Sequence, residues 1–174
     1  MPNTTITVYT NYSRSQLLNV QIGQIINIIM TPLKVIANWV RKVKQSRPEL
    51  NGKSVCPFAK MPGVIPLDKL SMKNIEPLGN QITIYIENTV ESTFEELETL
   101  CRRLNKKHKN YIFLPDHPQK KNYINGVETG NEHLPLIIVQ TRKELLTARS
   151  LLEKTDYYDF WSEEYIKEIK SYGD

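Results

Sequence analysis

The chain has 174 residues, of which 40% are hydrophobic and 24% charged. At roughly 150 residues per domain this is one domain, long enough to bury a core without disulfide staples. The composition excludes collagen-like, coiled-coil and wholly disordered chains. Two cysteines, Cys56 and Cys101, are too few for a disulfide scaffold, which favours a reducing compartment. The longest apolar region, Leu17 to Val40, is interrupted by Asn19, Gln21, Gln24, Asn27, Lys34 and Asn38, so it does not read as a membrane span. It lacks the basic leader and small-residue cleavage site of a signal peptide. A cytoplasmic protein without membrane contact is the expectation.

The net charge of +4 hides an asymmetry: residues 153–174 carry −4 and the first 152 carry +8. Basic residues gather in two clusters, one from Arg41 to Lys60 and one from Arg102 to Lys121. These could bind an anionic ligand or a partner protein. Both clusters fall at the ends of predicted helices, where cations meet the negative end of the macrodipole. Without a nucleic-acid motif or an aromatic ladder, the charge does not point to nucleic acid.

Residues 4–9 alternate and are β-branched, so 1–14 read as an edge strand or a disordered arm. From Leu18 to Val43 the apolar residues recur at helical spacing, with Pro32 in the middle. Proline at a first helical position, capped by Thr31, favours two helices, 15–30 and 32–45, with Trp39 in the core. From 48 to 79 there are five prolines and three glycines, which predicts a structured loop without long elements. Residues 81–87 alternate as a strand, and Ser92 with Glu95 forms a capping-box pattern for a helix reaching about Lys107. Cys101 falls on the apolar face of that helix and reads as a core residue.

Tyr111–Leu114 reads as a second strand, stopped by Pro115. Residues 136–139 form an uninterrupted apolar run and read as a buried central strand. Thr141 with Glu144 caps a helix, and Ser162 caps a last one running to Gly173. Between them Tyr157, Tyr158, Phe160 and Trp161 offer more aromatic area than a surface segment normally exposes. That cluster should cover the sheet or join two copies in a homo-oligomer. The whole predicts an α+β domain over 1–174, a two-layer sandwich of a small mixed sheet of about three or four strands with four or five helices.

Ser54-Val55-Cys56-Pro57-Phe58-Ala59-Lys60 is the segment richest in candidate chemistry. Proline after cysteine can start a helical turn with Cys56 at its cap, where free amides lower a thiol pKa. Lys53 and Lys60 act in the same direction and are candidates to hold an anionic small molecule. Gly52-Lys53-Ser54 imitates the end of a P-loop, but Arg47 stands where that motif needs glycine. Asp116 and His117 follow a strand end, and His133 precedes the central strand. If Cys56, His117 and His133 converge, with Asp116 orienting an imidazole, the result is a nucleophilic thiol with its base. The same three side chains could also ligate a metal, although their spacing matches no short metal signature. The competing reading is a non-catalytic module whose basic face takes an anionic ligand or partner.

Val-Cys-Pro-Phe-Ala-Lys at 55–60 resembles the Asn-Leu-Cys-Pro-Phe-Ala signature of an uncharacterised bacterial family, a domain of unknown function. The similarity extends loosely over 36–154, through His117-Pro118 and Asn131–Arg142. Here Ser54-Val55 replaces the residues before the cysteine. The resemblance implies a shared fold and draws attention to Cys56, without naming a reaction.

Overall fold

The computed structural model describes residues 22–79, 81–88 and 90–172, with side chains from residue 32. The expectations for 1–14, and for a first helix beginning at 15, fall largely outside the described residues.

Helix α1 is a single element, Ile22–Lys44, with Pro32 inside it, rather than the two helices expected. Proline within a helix costs about 3 kcal/mol, through a lost amide donor and a clash with the preceding turn. Burial of the helix's later half offsets this cost. Ile36 is fully buried against the sheet residues Ile84, Ile86 and Leu136, with Trp39 and Val40 packed at their margin.

The proline-rich segment holds more regular structure than its composition suggests. After a 3₁₀ turn at Pro48–Leu50 comes strand β1, Gly63–Leu67, and then the single turn α2, Lys69–Met72, capped by the Asp68 carboxylate. Strand β1 is an edge strand, which is why Pro66 is tolerated in it: proline's missing donor matters only where a neighbour needs it.

Strand β2 spans Thr83–Glu87, helix α3 Phe94–Lys107 and strand β3 Tyr111–Asp116. The cap of α3 is Thr93, one residue later than expected, with Glu96 closing the capping box. Ser92 is engaged elsewhere, since its amide donates to Glu87. The loop after β3 folds into a small hairpin, β4 (Tyr123–Ile124) and β5 (Val127–Glu128), turned by Asn125 and Gly126. Both turn residues have positive φ, 44° and 81°, as a tight two-residue hairpin turn requires. Strand β6 (Leu136–Thr141), helix α4 (Arg142–Leu152), a 3₁₀ segment (Asp156–Phe160) and helix α5 (Glu163–Ser171) complete the chain.

The main sheet has the order β1-β2-β6-β3, parallel between β1 and β2 and antiparallel at the other two junctions. The α+β class and the mixed four-stranded sheet are as the sequence predicts, and β6 is interior. Alternation divides the side chains between two faces. Tyr85, Phe113, Ile137 and Val139 pack with Leu97, Cys101 and Leu104 of α3 and with Met72 and Ile75. Ile84, Ile86 and Leu136 turn to the other face, where α1 covers them. No helix among the described residues is long and apolar enough to cross a membrane.

The aromatic segment packs within the chain. Val43, Leu50, Val55, Ile124 and Val127 form a second core, onto which Cys56, Phe160, Trp161 and Tyr165 close. The Tyr157 hydroxyl donates to the Val55 carbonyl, pinning the tail to the cysteine segment.

Candidate ligand cavity

Beneath this aromatic cover, on the sheet face opposite α3, lies a cavity of about 790 Å³. Its walls come from α1, the Cys56 segment, the sheet, α4 and the tail, including Trp39, Ile84, Ile138, Ala148 and Trp161. The size suits a small organic molecule, as does a mostly apolar lining broken by a few polar groups.

Cys56 lies in that wall. Its carbonyl accepts from the Ala59 amide at 3.2 Å, closing a turn with Pro57 in it, and the Phe58 and Ala59 amides point at its sulfur. The expected cap geometry is therefore present as one turn. The expected activation is not: burial pushes the Cys56 thiol up, outweighing the amides that pull it down. Lys53 does not assist, because its ammonium is paired with Asp156 at 2.5 Å and lies over the Phe160 ring. Lys60 does border the cavity.

Asp116 also lines the cavity, whereas neither His117 nor His133 does. The strand's alternation explains the split. Leu114 and Asp116 pair with Ile138 and Leu136, and so share the cavity face. His117, the next residue, turns its ring the other way. It is fully buried, its Nε2–H donates to the Ser92 carbonyl at 2.8 Å, and its Nδ1 accepts from the Gln119 amide at 3.1 Å. Both ring nitrogens thus hold the chain together just before α3. His133 is exposed. The convergence of Cys56 with two imidazoles on one pocket is not what the fold builds. Among the described residues no cluster of three His, Cys, Asp or Glu side chains could hold a metal ion.

Asp116 is held from the loop that follows the hairpin. Its Oδ2 accepts the Asn131 amide at 2.8 Å, with the Asn131 side-chain nitrogen at 3.4 Å, and the His117 amide also bonds to its carboxylate. Burial outweighs these donors and pushes its carboxyl above the usual range. Gly130 is close by: a Cβ there would stand 3.1 Å from Oδ1. The same loop joins the aromatic wall. The Trp39 indole donates to the Thr129 carbonyl at 2.9 Å, and the Thr129 hydroxyl lies 3.1 Å from the Tyr165 hydroxyl.

The aromatic and loop components were not singled out as a site from the sequence. A signal existed in Trp161 and Tyr165, four apart, whose rings stack at 5.3 Å. Thr129 and Gly130 carry no sequence pattern that marks them.

The basic clusters are matched by acids only in part. Lys42 bridges Glu128 (3.3 Å) and Glu132 (2.5 Å), Lys107 pairs with Glu76, and Lys121 with Glu128. Lys53–Asp156 and Lys120–Glu168 join the basic body to the acidic tail. The charge asymmetry is thus partly consumed inside the fold, each exposed pair contributing only about 0–1 kcal/mol.

In comparisons with protein-family models, curated proteins and solved structures, the chain matches none.

Proposed function

We propose that the protein is a small-molecule-binding module whose ligand occupies the cavity between the sheet and the aromatic tail. The observation that carries this reading is the cavity itself. A half-open hollow of about 790 Å³ is walled in part by aromatic side chains and holds the buried Asp116 carboxylate, the buried Arg149 guanidinium and a thiol. A concave, mostly apolar site of this size with a few convergent polar groups is the usual form of a small-molecule site.

The chain's two tryptophans, Trp39 and Trp161, both line the cavity. Intrinsic fluorescence is therefore a direct readout of occupancy. Small apolar and aromatic compounds should quench or shift it saturably and raise the melting temperature. Filling the cavity by Ala148→Phe should abolish both effects while the circular dichroism spectrum is retained. Compounds that bind the filled variant as well as the wild type would locate binding elsewhere.

A second reading, an enzyme acting through the Cys56 sulfur, is favoured by the position of that thiol in the cavity wall with two amides aimed at it. Such an enzyme would need its base from the ligand or from Asp116 rather than from His117. Turnover lost in Cys56→Ser but retained in His117→Asn would support it.

A further inference from the structure

Resting on the cavity as the binding site, the geometry points to its ligand class: an organic cation, an ammonium group on an apolar body, with the charge at Asp116 and the body among Trp39, Trp161 and Tyr165.

Three observations converge on this. Asp116 is 9% exposed and lines the cavity, yet no lysine or arginine among the described residues forms an ion pair with it; its partners are the Asn131 amide and side chain and the His117 amide. Carboxylates so deeply placed are ordinarily matched by a cation, because desolvating an unpaired charge costs several kcal/mol. Of the other carboxylates of the lining, Glu168 is paired with Lys120, and Glu144 is exposed to solvent, where water screens its charge. Asp116 is the one left for a ligand to neutralise.

The second observation is the flank of the carboxylate. At Gly130 a Cβ would stand 3.1 Å from Oδ1, tighter than nine in ten real contacts, so glycine lets the loop backbone lie beside the carboxylate without a side chain crowding it. The third is the wall beside it. Thr129, Gly130 and Asn131 tie the carboxylate to the Trp39 indole and the Tyr165 hydroxyl through consecutive residues. Aromatic faces attract cations, and tryptophan most strongly. Lys60 and Arg149 also border the cavity, Arg149 donating to the Ile169 carbonyl, so the sign of the ligand is decided locally at Asp116, where an ammonium would gain both the ion pair and the ring faces.

The test uses three compounds with one shared body: 1-naphthylmethylammonium, 1-naphthylmethanol and 1-naphthoate, titrated calorimetrically into the full chain at pH 7.5. The ammonium should bind at least about tenfold more tightly than the other two, the discrimination expected for a desolvated charge-assisted contact. Asp116→Asn should erase that preference, bringing the affinity of the ammonium down to that of the alcohol. Equal affinity for all three would leave the cavity reading standing and overturn the cation inference. Tightest binding of the naphthoate would also overturn it and restore an anionic ligand. Absence of binding by all three would overturn the cavity reading and the inference together. The wild-type comparison needs no variant, so it decides the matter even if Asp116→Asn fails to fold.

Discussion

Asp116 and His117 are consecutive residues that serve opposite faces of the sheet: the carboxylate lines the cavity, and the imidazole is locked to the Ser92 carbonyl before α3. This separation turns an apparent Asp-His constellation into two structural units. His117 continues a chain of contacts, since the Ser92 amide in turn donates to the buried Glu87 carboxylate at 3.1 Å and the Glu91 amide reaches the same oxygen at 3.2 Å. His117→Ala should destabilise the fold by about 1–3 kcal/mol by leaving a buried carbonyl and amide unpaired. It should leave the alkylation rate of Cys56 and its pH profile unchanged. Urea denaturation and timed labelling measure the two effects, and a slowed Cys56 would restore the dyad.

How much of this is legible in the sequence depends on the kind of signal. Period and caps placed β2, α3, β6, α4 and α5, because alternation and Ser/Thr caps are local. The sequence does not mark strand β1, because its Pro66 reads as a breaker unless the strand is known to lie at an edge, which is a tertiary fact. The hairpin was missed although Asn125-Gly126 is a turn signal, because each of its strands is only two residues long. At the site, Cys56 and Asp116 were visible as chemistry, but which face each strand-end residue takes depends on a register that only the paired strands set.

Asp116 has a stability signature of its own. Its folded carboxyl sits above the ordinary 3.8, so the native state binds this proton more readily than the unfolded chain does. The stabilisation from that proton is complete below the unfolded value and is lost as pH rises through the folded one. Relative to Asp116→Asn, the wild type should therefore gain stability as pH is lowered from 7 towards 4. Asp116→Ala should cost about 1–3 kcal/mol at any pH by stranding the Asn131 amide. Urea titrations of the three proteins across that range check the sign, and a wild-type advantage that shrinks on acidification would contradict it.

The two thiols should separate by access rather than by activation. Burial pushes both up, Cys101 further, and Cys101 is fully buried while Cys56 borders the cavity. Iodoacetamide at pH 7 should label Cys56 slowly and Cys101 only on unfolding. The Cys56 rate should keep climbing above about pH 10, where a free thiol has levelled off. Peptide mapping by mass spectrometry resolves the two sites. A Cys56 rate that plateaus below pH 8 would mean an activated thiolate.

Among the contacts that hold the tail are a buried hydrogen bond from Tyr157 and a nest of rings, and these two contributions can be separated. The Tyr157 hydroxyl donates to the Val55 carbonyl, its ring meets Tyr158 edge-on at 5.0 Å and Trp161 at 5.5 Å, and burial raises its phenol far above the usual range. A hydroxyl whose folded pKa is raised contributes stability at neutral pH that is lost only in strong alkali. Tyr157→Phe keeps the ring and removes the donor, so it should cost about 1–2 kcal/mol at pH 7. Tyr157→Ala also empties a buried site and should cost about 3–5 kcal/mol. Truncation after Lys154 removes the Lys53–Asp156 and Lys120–Glu168 pairs as well and uncovers the second core, so it should lower the melting temperature well beyond either point variant. It should also abolish the tryptophan-reported ligand response, because Trp161 and Tyr165 leave with it. Calorimetry of the three variants orders the effects, and a truncated chain melting with the wild type would show that the tail does not close the cavity.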